Sequence, residues 1–377
     1  MKILFTGGGT AGHIFPIIAI VRRIRKIYKG KKEPRFFYIG PKDDFAQELL
    51  SREGIEVKEI WAGKIRRYLN PKSMFLNIFD IFVKAPIGFF QAFFYIFFLS
   101  PDLIFSKGGY GSLPAVFSGW LMLVPIFIHE SDITPGLANR ISSKLALEIF
   151  VSFPSEQTEY FPKKKMISVG NPIRTEILGG DKEKAKEIFQ LNGEKSLILV
   201  LGGSQGSQRI NDLILDILPQ ILKDFEIIHQ TGKKNFSQVK AEAEVMVPKE
   251  MMRYYHPVRF LDEQKLKHAL AAADLVISRA GSGTIFEIAL SEKPSILIPL
   301  KESAQDHQLK NAYAYAESGA CLVVEELNLT PHFFLERLEH LFSQPEKLKR
   351  MAKAAKLFSR PQAANIIAQY IIEYLSV

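Results

Sequence analysis

The chain repeats one local pattern in both of its halves: a short apolar run, a glycine-rich turn, and then a segment with helical periodicity. In the first half, the apolar runs 2–5 and 103–106 each lead into such a turn. In the second half, the runs 196–201 and 275–278 end in the same way. Strands separated by helices are typical of βαβ units and a parallel sheet. The pattern therefore predicts an α/β chain made of two doubly wound halves.

The remaining elements and the length fit two domains. Further strands are predicted at 35–39, 125–129, 148–151, 226–229 and 295–299, and helices at 14–28, 45–53 and 361–377. A chain of 377 residues is too long for one ordinary hydrophobic core. We place the boundary at the lysine run 163–165, which gives domains 1–165 and 166–377. The last helix is expected to pack back on the N-terminal domain.

Composition narrows the class of protein. The single cysteine, Cys321, excludes an intramolecular disulfide and a cysteine-rich zinc site. A strand and a glycine turn occupy residues 1–7, which leaves no room for a signal peptide, so a cytoplasmic location is expected.

The net charge of +9 suits binding to nucleic acid, anionic lipid or phosphorylated substrates. Because aromatic residues are not interleaved with the basic runs, no nucleic-acid partner is predicted.

Residues 85–101 carry no charge and are crowded with phenylalanine. Their number lies at the lower edge of transmembrane length. Pro86, Gly88 and Gln91 interrupt the first half of the run, and a predicted strand follows it. We therefore expect a buried helix of an α/β domain rather than a membrane span.

The first glycine turn, residues 7–12, satisfies G-x-G-x-x-G between a strand and a helix. Such a turn brings backbone amides and a helix N-terminus close to an anion. A nicotinamide-dependent oxidoreductase also needs an acidic residue at the end of the second strand, but that strand ends in Gly40-Pro41-Lys42. His13, at the tip of the turn, is a candidate general base.

Five further polar or glycine-rich segments follow predicted strands: 106–114, 129–132, 202–207, 279–287 and 306–312. The carboxyl ends of parallel strands lie along one edge of a sheet, so these segments are expected to converge. Glu130 is the second candidate catalytic residue. Glu287 can accept hydrogen bonds from two vicinal ribose hydroxyls. The sequence contains no G-x-x-x-x-G-K-[ST] motif, so the chain is not expected to be a P-loop NTPase.

Taken together, these segments resemble the MurG glycosyltransferases of peptidoglycan synthesis, which move N-acetylglucosamine (GlcNAc) from UDP-GlcNAc onto lipid I to give lipid II. The resemblance rests on FTGGGTAGHIFP (5–16), KGGYGSLPA (107–115), HESDITPGLANR (129–140), VGNPIR (169–174), LGGSQGSQRIN (201–211), SRAGSGTIFEIA (278–289) and DHQLKNA (306–312). It implies the GT-B fold, in which two Rossmann-like domains with parallel sheets face a central cleft.

The resemblance also implies roles for single residues. In the donor site, Ser204 and the loop of Ser282, Gly283 and Thr284 would contact the diphosphate, and Arg174 of the linker motif would face the donor. Glu287 would bind the ribose hydroxyls. Leu261 would contact the uracil through its backbone, and Gln308 would bind the GlcNAc hydroxyls. Thr10, Ala11 and Gly12 form the loop that meets donor and acceptor phosphates, and His13 is the family's candidate base. Two positions depart from the family. Ala11 replaces a glycine, and Asp132 replaces an asparagine that contacts the sugar, so it can accept but not donate while ionised.

The implied mechanism is a single displacement with inversion, in which the acceptor 4-hydroxyl attacks the anomeric carbon and UDP leaves. There is no D-x-D motif, so no metal or other cofactor is predicted, and helix N-termini would stabilise the diphosphate. The acceptor's polyprenyl chain places the reaction at the cytoplasmic face of the bacterial inner membrane. Phe75, Phe79, Phe82 and Lys72 belong to an apolar and basic segment that is predicted to contact anionic lipid as a peripheral surface.

Three alternatives stay open on the sequence. A UDP-GlcNAc 2-epimerase or another glycolipid synthase would share the fold, although an epimerase has no use for a lipid-facing surface. A non-catalytic UDP-sugar-binding subunit is disfavoured by His13 and Glu130 at convergent strand ends. The nicotinamide-dependent oxidoreductase is the weakest because its ribose carboxylate is missing.

Overall fold

The chain folds into two units, one of residues 1–174 with 361–377 and one of residues 175–360. The structure is a computed structural model that describes residues 1–8, 10–64, 71–154, 160–203 and 206–376, without the side chains of Pro71, Lys72 and Ala304. Ser204 and the side chain of Lys72, both singled out by the sequence, therefore lie outside the described residues.

The first unit is a parallel sheet with helices on both faces. Its elements are β1 (Lys2–Thr6), α1 (Ala11–Ile27), β2 (Arg35–Gly40), α2 (Asp44–Arg52), β3 (Glu56–Glu59), α3 (Pro71–Phe79), a π-helical turn (Asp80–Lys84), α4 (Ala85–Leu99), β4 (Leu103–Ser106), α5 (Leu113–Leu121), β5 (Ile126–Glu130), α6 (Leu137–Ser142), β6 (Glu148–Val151), β7 (Met166–Ser168) and α15 (Ala363–Tyr374). The strand order is β3-β2-β1-β4-β5-β6-β7. Alternation along β1 sends Ile3 and Phe5 toward α1 and α15 and Leu4 toward α4 and α5.

The second unit repeats this architecture. Its elements are α7 (Lys182–Phe189), β8 (Ser196–Leu201), α8 (Gln208–Ile221), β9 (Phe225–Gln230), α9 (Phe236–Met246), β10 (Tyr255–Val258), α10 (Glu263–Ala272), β11 (Leu275–Ser278), α11 (Ser282–Leu290), β12 (Ser295–Leu297), α12 (His307–Ala316), β13 (Cys321–Val323), α13 (Pro331–Phe342) and α14 (Pro345–Phe358). The strand order is β10-β9-β8-β11-β12-β13, and all described pairs in both sheets are parallel.

In each sheet the strand order reverses beside the first strand of the unit. In the first unit β1 lies between β2 and β4, and in the second β8 lies between β9 and β11. Crevices at such reversal points, outside the carboxyl ends of the strands, are where open α/β sheets bind ligands. The glycine turns after β1, β4, β8 and β11 therefore stand at the expected place, and the two doubly wound halves predicted from the sequence are confirmed.

The Phe-rich helix corrects one prediction. We expected a buried helix over 85–101, but α4 buries Gly88, Ala92 and Ile96 and leaves most of its phenylalanines exposed, with Phe98 at 78%. Small residues on one face let α4 pack closely against α5, and Gly88 has no space for a side chain because a Cβ there would meet Trp61 O. The continuous helical stretch Ser73–Leu99 is long and apolar enough to cross a membrane by length and composition, and 17% of its most apolar window is buried.

Candidate functional site

His13 lies on the first turn of α1, directly beyond the glycine turn that follows β1. Its Nδ1 lies 2.7 Å from Thr10 Oγ1, and its backbone N–H donates to Thr10 O at 2.9 Å. Thr10 is the N-cap residue of α1 but makes no side-chain cap, so its hydroxyl serves the imidazole instead. This contact fixes the ring and leaves Nε2 as the nitrogen available to a ligand.

Two glycines make room for the imidazole. A Cβ on Gly8 would lie 2.9 Å from His13 Nδ1, and a Cβ on Gly109 would lie 3.2 Å from His13 Nε2 and 3.0 Å from Gly8 N. Gly109 also has a φ of +82°, a conformation that side chains rarely adopt. The turns after β1 and β4 can therefore meet around His13 only because both lack side chains at these points.

The His13 ring is held in the neutral form. Burial and, to a smaller extent, the Lys107 ammonium lower the pKa of His13 to about 4. A neutral imidazole with a free Nε2 can accept a proton at physiological pH. The geometry and the electrostatics of His13 therefore suit a general base.

Glu130, at the end of β5, organises its own loop. Its Oε1 accepts from Asp132 N at 3.0 Å, and its Oε2 accepts from Gly136 N at 3.2 Å and Asn139 Nδ2 at 2.9 Å. Burial raises the pKa of Glu130 to about 7, and the neighbouring Asp132 carboxylate acts in the same direction. Because both oxygens serve the 130–139 loop, we propose that Glu130 positions this loop rather than handling a proton of the substrate.

Both departures from the family fall on described residues. Ala11 is the first residue of α1, where φ is negative, so a side chain is compatible with the backbone at this position. Thr10 and Gly12, on either side of it, are exposed. Asp132 is half-buried, and its backbone N–H is tied to Glu130.

In the second unit, α11 begins at Ser282, directly after the glycine turn that follows β11. Gly281 is its N-cap residue and has no side-chain cap, and a Cβ on Gly281 or Gly283 would meet nothing within 4 Å. Ser282 is buried, whereas Thr284 and Glu287 are half-buried. An open helix N-terminus at the end of a central strand can bind an anion.

Arg279, after β11, joins this turn to the turn after β8. Its Nη2 and Nε donate to Ser207 Oγ at 2.7 and 3.1 Å, and its Nη1 donates to Ile298 O at 3.1 Å and pairs with Glu326. Ser207 is in turn the N-cap residue of α8. The buried guanidinium therefore fixes the N-terminus of α8 beside the strand that leads to α11.

Leu261 is tied to the turn after β8 through Gln230. The Leu261 N–H donates to Gln230 Oε1 at 2.9 Å, and Gln230 Nε2 donates to Gly203 O at 2.9 Å. Because the N–H of Leu261 donates to Gln230, its carbonyl is the backbone group of this residue that a ligand could contact. Gln230 is a residue that the sequence analysis missed.

The structure places the last two predicted donor residues as follows. Gln308, on the first turn of α12, accepts from Leu300 N through Oε1 at 3.0 Å, which orients its amide. Gln305 and Asp306 just before it have φ of +59° and +54°, a strained entry that sets the direction of α12. Arg174 is buried, with its guanidinium 3.6 Å from the centre of the Phe15 ring of α1.

The predicted lipid-facing segment has an exposed apolar side. Phe75, Phe79 and Phe82 are 70%, 39% and 74% exposed. Asp80, which lies among them in sequence, instead points inward, is 1% exposed, and pairs with Lys84 Nζ at 2.8 Å. The acidic group is thus removed from the apolar side. Exposed side chains of α4 and α5 add to this surface: Phe90, Phe94, Phe97, Phe98, Trp120 and Leu121.

Among the described residues, no three His, Cys, Asp or Glu side chains cluster as a metal site.

Comparison with known proteins gives matches over both units. The profile of the glycosyltransferase family 28 N-terminal domain matches residues 3–151, and that of the C-terminal domain matches residues 197–367. A Bacillus cereus protein named UDP-N-acetylglucosamine–N-acetylmuramyl-(pentapeptide) pyrophosphoryl-undecaprenol N-acetylglucosamine transferase 2 is 38% identical over 373 residues, which are 99% of each chain. A Clostridium tetani transferase of the same name, without the number, is 37% identical over 98% of each chain.

Solved structures agree on the fold. The crystal structure of Acinetobacter baumannii MurG is 22% identical, covers 99% of each chain and has a TM-score of 0.73. A UDP-GlcNAc 2-epimerase from Neisseria meningitidis, bound to UDP-GlcNAc, is 14% identical, covers 99% of this chain and 100% of its own, and has a TM-score of 0.68. These two likenesses establish the GT-B fold, with its two Rossmann-like units. On the profile matches and the identity over nearly its whole length, the chain belongs to glycosyltransferase family 28 and, within it, to the MurG family.

Proposed function

We propose that this chain transfers GlcNAc from UDP-GlcNAc to the 4-hydroxyl of the N-acetylmuramyl unit of lipid I, and so forms lipid II. The observation that carries the proposal is the identity of 38% over 99% of the chain to a transferase named for this reaction. The epimerase likeness, at 14% identity, extends to the fold alone.

We assign the donor to the second unit. The N-terminus of α11, with Ser282, Gly283 and Thr284 on its first turn, would direct its amides and its positive dipole end toward the diphosphate. Glu287, half-buried on the same helix, would accept hydrogen bonds from the ribose hydroxyls. Leu261 O would read the uracil, and the oriented amide of Gln308 would donate to a GlcNAc hydroxyl. Arg174 and Ser204 complete the proposed donor set.

We assign the base to His13 in the first unit. The neutral imidazole would take the proton from the acceptor 4-hydroxyl as that oxygen attacks the anomeric carbon. The bond from the anomeric carbon to the diphosphate breaks as the new bond forms, so configuration inverts and UDP carries away the electron pair. Thr10, Ala11, Gly12 and Asp132 lie on the loops that we expect to meet the two substrates.

The leaving diphosphate needs positive potential. The helix N-terminus and backbone amides of α11 are proposed to supply it, since preorganised donors act strongly where charge develops. We therefore expect transfer to continue when divalent metal is chelated.

We place the enzyme on the cytoplasmic face of the inner membrane as a peripheral protein. The exposed phenylalanines of α3 and α4, together with the nearby Lys84 and the predicted contribution of Lys72, suit an anionic lipid surface. Because α4 packs along α5, the helical stretch Ser73–Leu99 is expected to lie on the bilayer rather than to cross it.

The test is a product analysis with labelled UDP-GlcNAc and a short-chain lipid I analogue, with EDTA present. The expected product is a β-linked disaccharide lipid with one UDP released for each transfer, and Glu287→Ala should raise the KM for UDP-GlcNAc. Release of UDP-ManNAc without acceptor would point to an epimerase. Binding of UDP-GlcNAc with neither reaction would point to a non-catalytic subunit.

A further inference from the structure

We propose that Lys107 is a positioning residue for this reaction, because its buried ammonium group holds the loop after β5 against the turn that carries His13 and places a positive charge beside the His13 ring. The inference rests on the proposed role of His13 as the base.

Lys107 lies at the reversal point of the first sheet. It follows β4 directly, and its N–H donates to Thr6 O at 2.8 Å, at the end of β1. A Cβ on Gly7 would lie 3.3 Å from Lys107 Cβ and 3.4 Å from His13 Cβ. Lys107 and His13 therefore both lie next to Gly7, and their side chains occupy the space that a side chain on Gly7 would need.

The ammonium group bridges to the neighbouring strand. Lys107 Nζ donates to Ser131 Oγ, the first residue after β5, and Ser131 Oγ donates to Asn171 Oδ1 at 3.3 Å. Lys107 is 3% exposed. Among the described residues, its hydrogen-bond acceptor is a hydroxyl rather than a carboxylate, although burying an ammonium group without an ion pair is costly.

The carboxylates of Glu130 and Asp132 favour the charged form of the buried Lys107. Burial lowers the pKa of Lys107 to about 8, and the charges of Glu130 and Asp132 oppose this shift. The carboxylate of Glu130 is occupied by its own loop. Lys107 thus acts on the carboxylates of this loop through its charge, while the hydrogen bond that its ammonium group makes within the described residues goes to Ser131.

The same charge acts on His13. The positive Lys107 lowers the pKa of His13, in addition to the larger effect of burial. The other titratable or charged groups around this pair are Tyr38 of β2, His129 and Glu130 of β5, and Asp132 of the following loop. Removing the Lys107 charge removes one of the two causes that lower the pKa of His13, so this pKa must rise.

The variants are Lys107→Met, Lys107→Arg as the charge-conserving replacement, and Lys165→Met as the control. Lys165 belongs to the same unit and donates to Ala146 O at 2.7 Å, so its replacement removes an equivalent charge and hydrogen bond elsewhere. Two readouts are needed: kcat/KM for transfer against pH, and the titration of the His13 ring by NMR in full-length protein with labelled histidine. His13→Gln assigns the signal.

We expect Lys107→Met to raise the pKa of His13 by about one pH unit. The acid limb of the plot of kcat/KM against pH should move to higher pH by the same amount. At neutral pH His13 stays neutral in both proteins, but kcat should still fall about tenfold because the loop after β5 is no longer held in place, with the KM for UDP-GlcNAc unchanged. Lys107→Arg should restore the position of the limb, and Lys165→Met should keep the wild-type profile.

An unchanged His13 titration in Lys107→Met would overturn the inference, as would the same shift in Lys165→Met. If the pKa of His13 rises but the pH dependence of kcat/KM does not change, the effect of the Lys107 charge on His13 would be supported. That result would sink the proposed role of His13 as the base, so the two failures are distinguishable.

Discussion

The hydroxyl of Thr10 lies 2.7 Å from Nδ1 of His13, and no side-chain cap competes for it at the start of α1. This contact fixes the ring, and in the proposed mechanism it directs Nε2 toward the acceptor. Thr10→Val should therefore lower kcat for transfer about tenfold, since a lost hydrogen bond of roughly 1 kcal/mol misplaces the base. Thr10→Ser should retain most of the rate. Steady-state kinetics check this, and equal losses in both variants would contradict it.

Gln230 should matter for donor binding although it was not predicted from the sequence. Gln230→Leu removes the bridge between Gly203 O and Leu261 N, so the turn after β8 and the uracil-reading backbone lose their common support. The KM for UDP-GlcNAc should rise about tenfold, corresponding to one or two lost hydrogen bonds, with kcat little changed. Gln238→Leu, at an exposed position of α9, is the matched control. A fall in kcat alone would contradict the assignment.

The buried His229 predicts an acid-sensitive second unit. Its Nδ1 contacts Tyr255 OH at 2.8 Å and its Nε2 contacts Asn211 Oδ1 at 3.1 Å, and burial lowers its pKa to about 3. The folded state keeps the ring neutral, while the unfolded state takes up a proton below about pH 6.5. The free energy of unfolding should therefore fall as pH drops from 6.5 toward 3, by about 1.4 kcal/mol per pH unit.

The variant His229→Gln should be less stable than the wild type at pH 7.5, because the two contacts are altered. At pH 5 the difference should shrink by roughly 2 kcal/mol, since the glutamine does not titrate. Native-state hydrogen exchange of the β9 amides measures this within the second unit. A difference that is the same at both pH values would show that His229 does not cause the acid sensitivity.

The exposed apolar side chains of α3 and of the π-helical turn that follows it should bind the protein to membranes. Phe75→Ser with Phe82→Ser should reduce binding to anionic vesicles at least about tenfold, because burying one phenylalanine contributes roughly 2 kcal/mol. Val245→Ser with Leu327→Ser removes two equally exposed apolar side chains from the second unit and should leave binding unchanged. Flotation with vesicles measures both. Wild-type protein that resists alkaline extraction would indicate a spanning helix instead.

The strands that the sequence predicted are the inner strands of the two sheets. The bounds predicted for β4, β6, β8 and β11 are confirmed, because buried strands of a parallel sheet are largely apolar runs, and here each is followed by glycine or a polar residue. The four strands that it missed, β3, β7, β10 and β13, are the four edges of the two sheets. Edge strands pair on one side and can be short and polar, as in Glu56–Glu59, or contain a proline, as in β10.

The rest depended on tertiary contacts that no local pattern carries. Apolar residues occur on every side of α4, so its composition could not show that Gly88, Ala92 and Ile96 are the residues that become fully buried. The glycine turns located the site, but the burial of Lys107 is decided by Ser131 on another strand. The role of Gln230 likewise depends on the approach of Leu261 to β9.

The central claim is tested most directly by transfer and donor binding measured side by side for the wild type and His13→Ala. The account predicts that the wild type forms the disaccharide lipid from UDP-GlcNAc and the lipid I analogue. It predicts that His13→Ala binds UDP-GlcNAc with wild-type affinity but transfers at least about 100-fold more slowly. A wild type that binds the donor but forms no disaccharide lipid, or a His13→Ala variant that transfers at the wild-type rate, would contradict it.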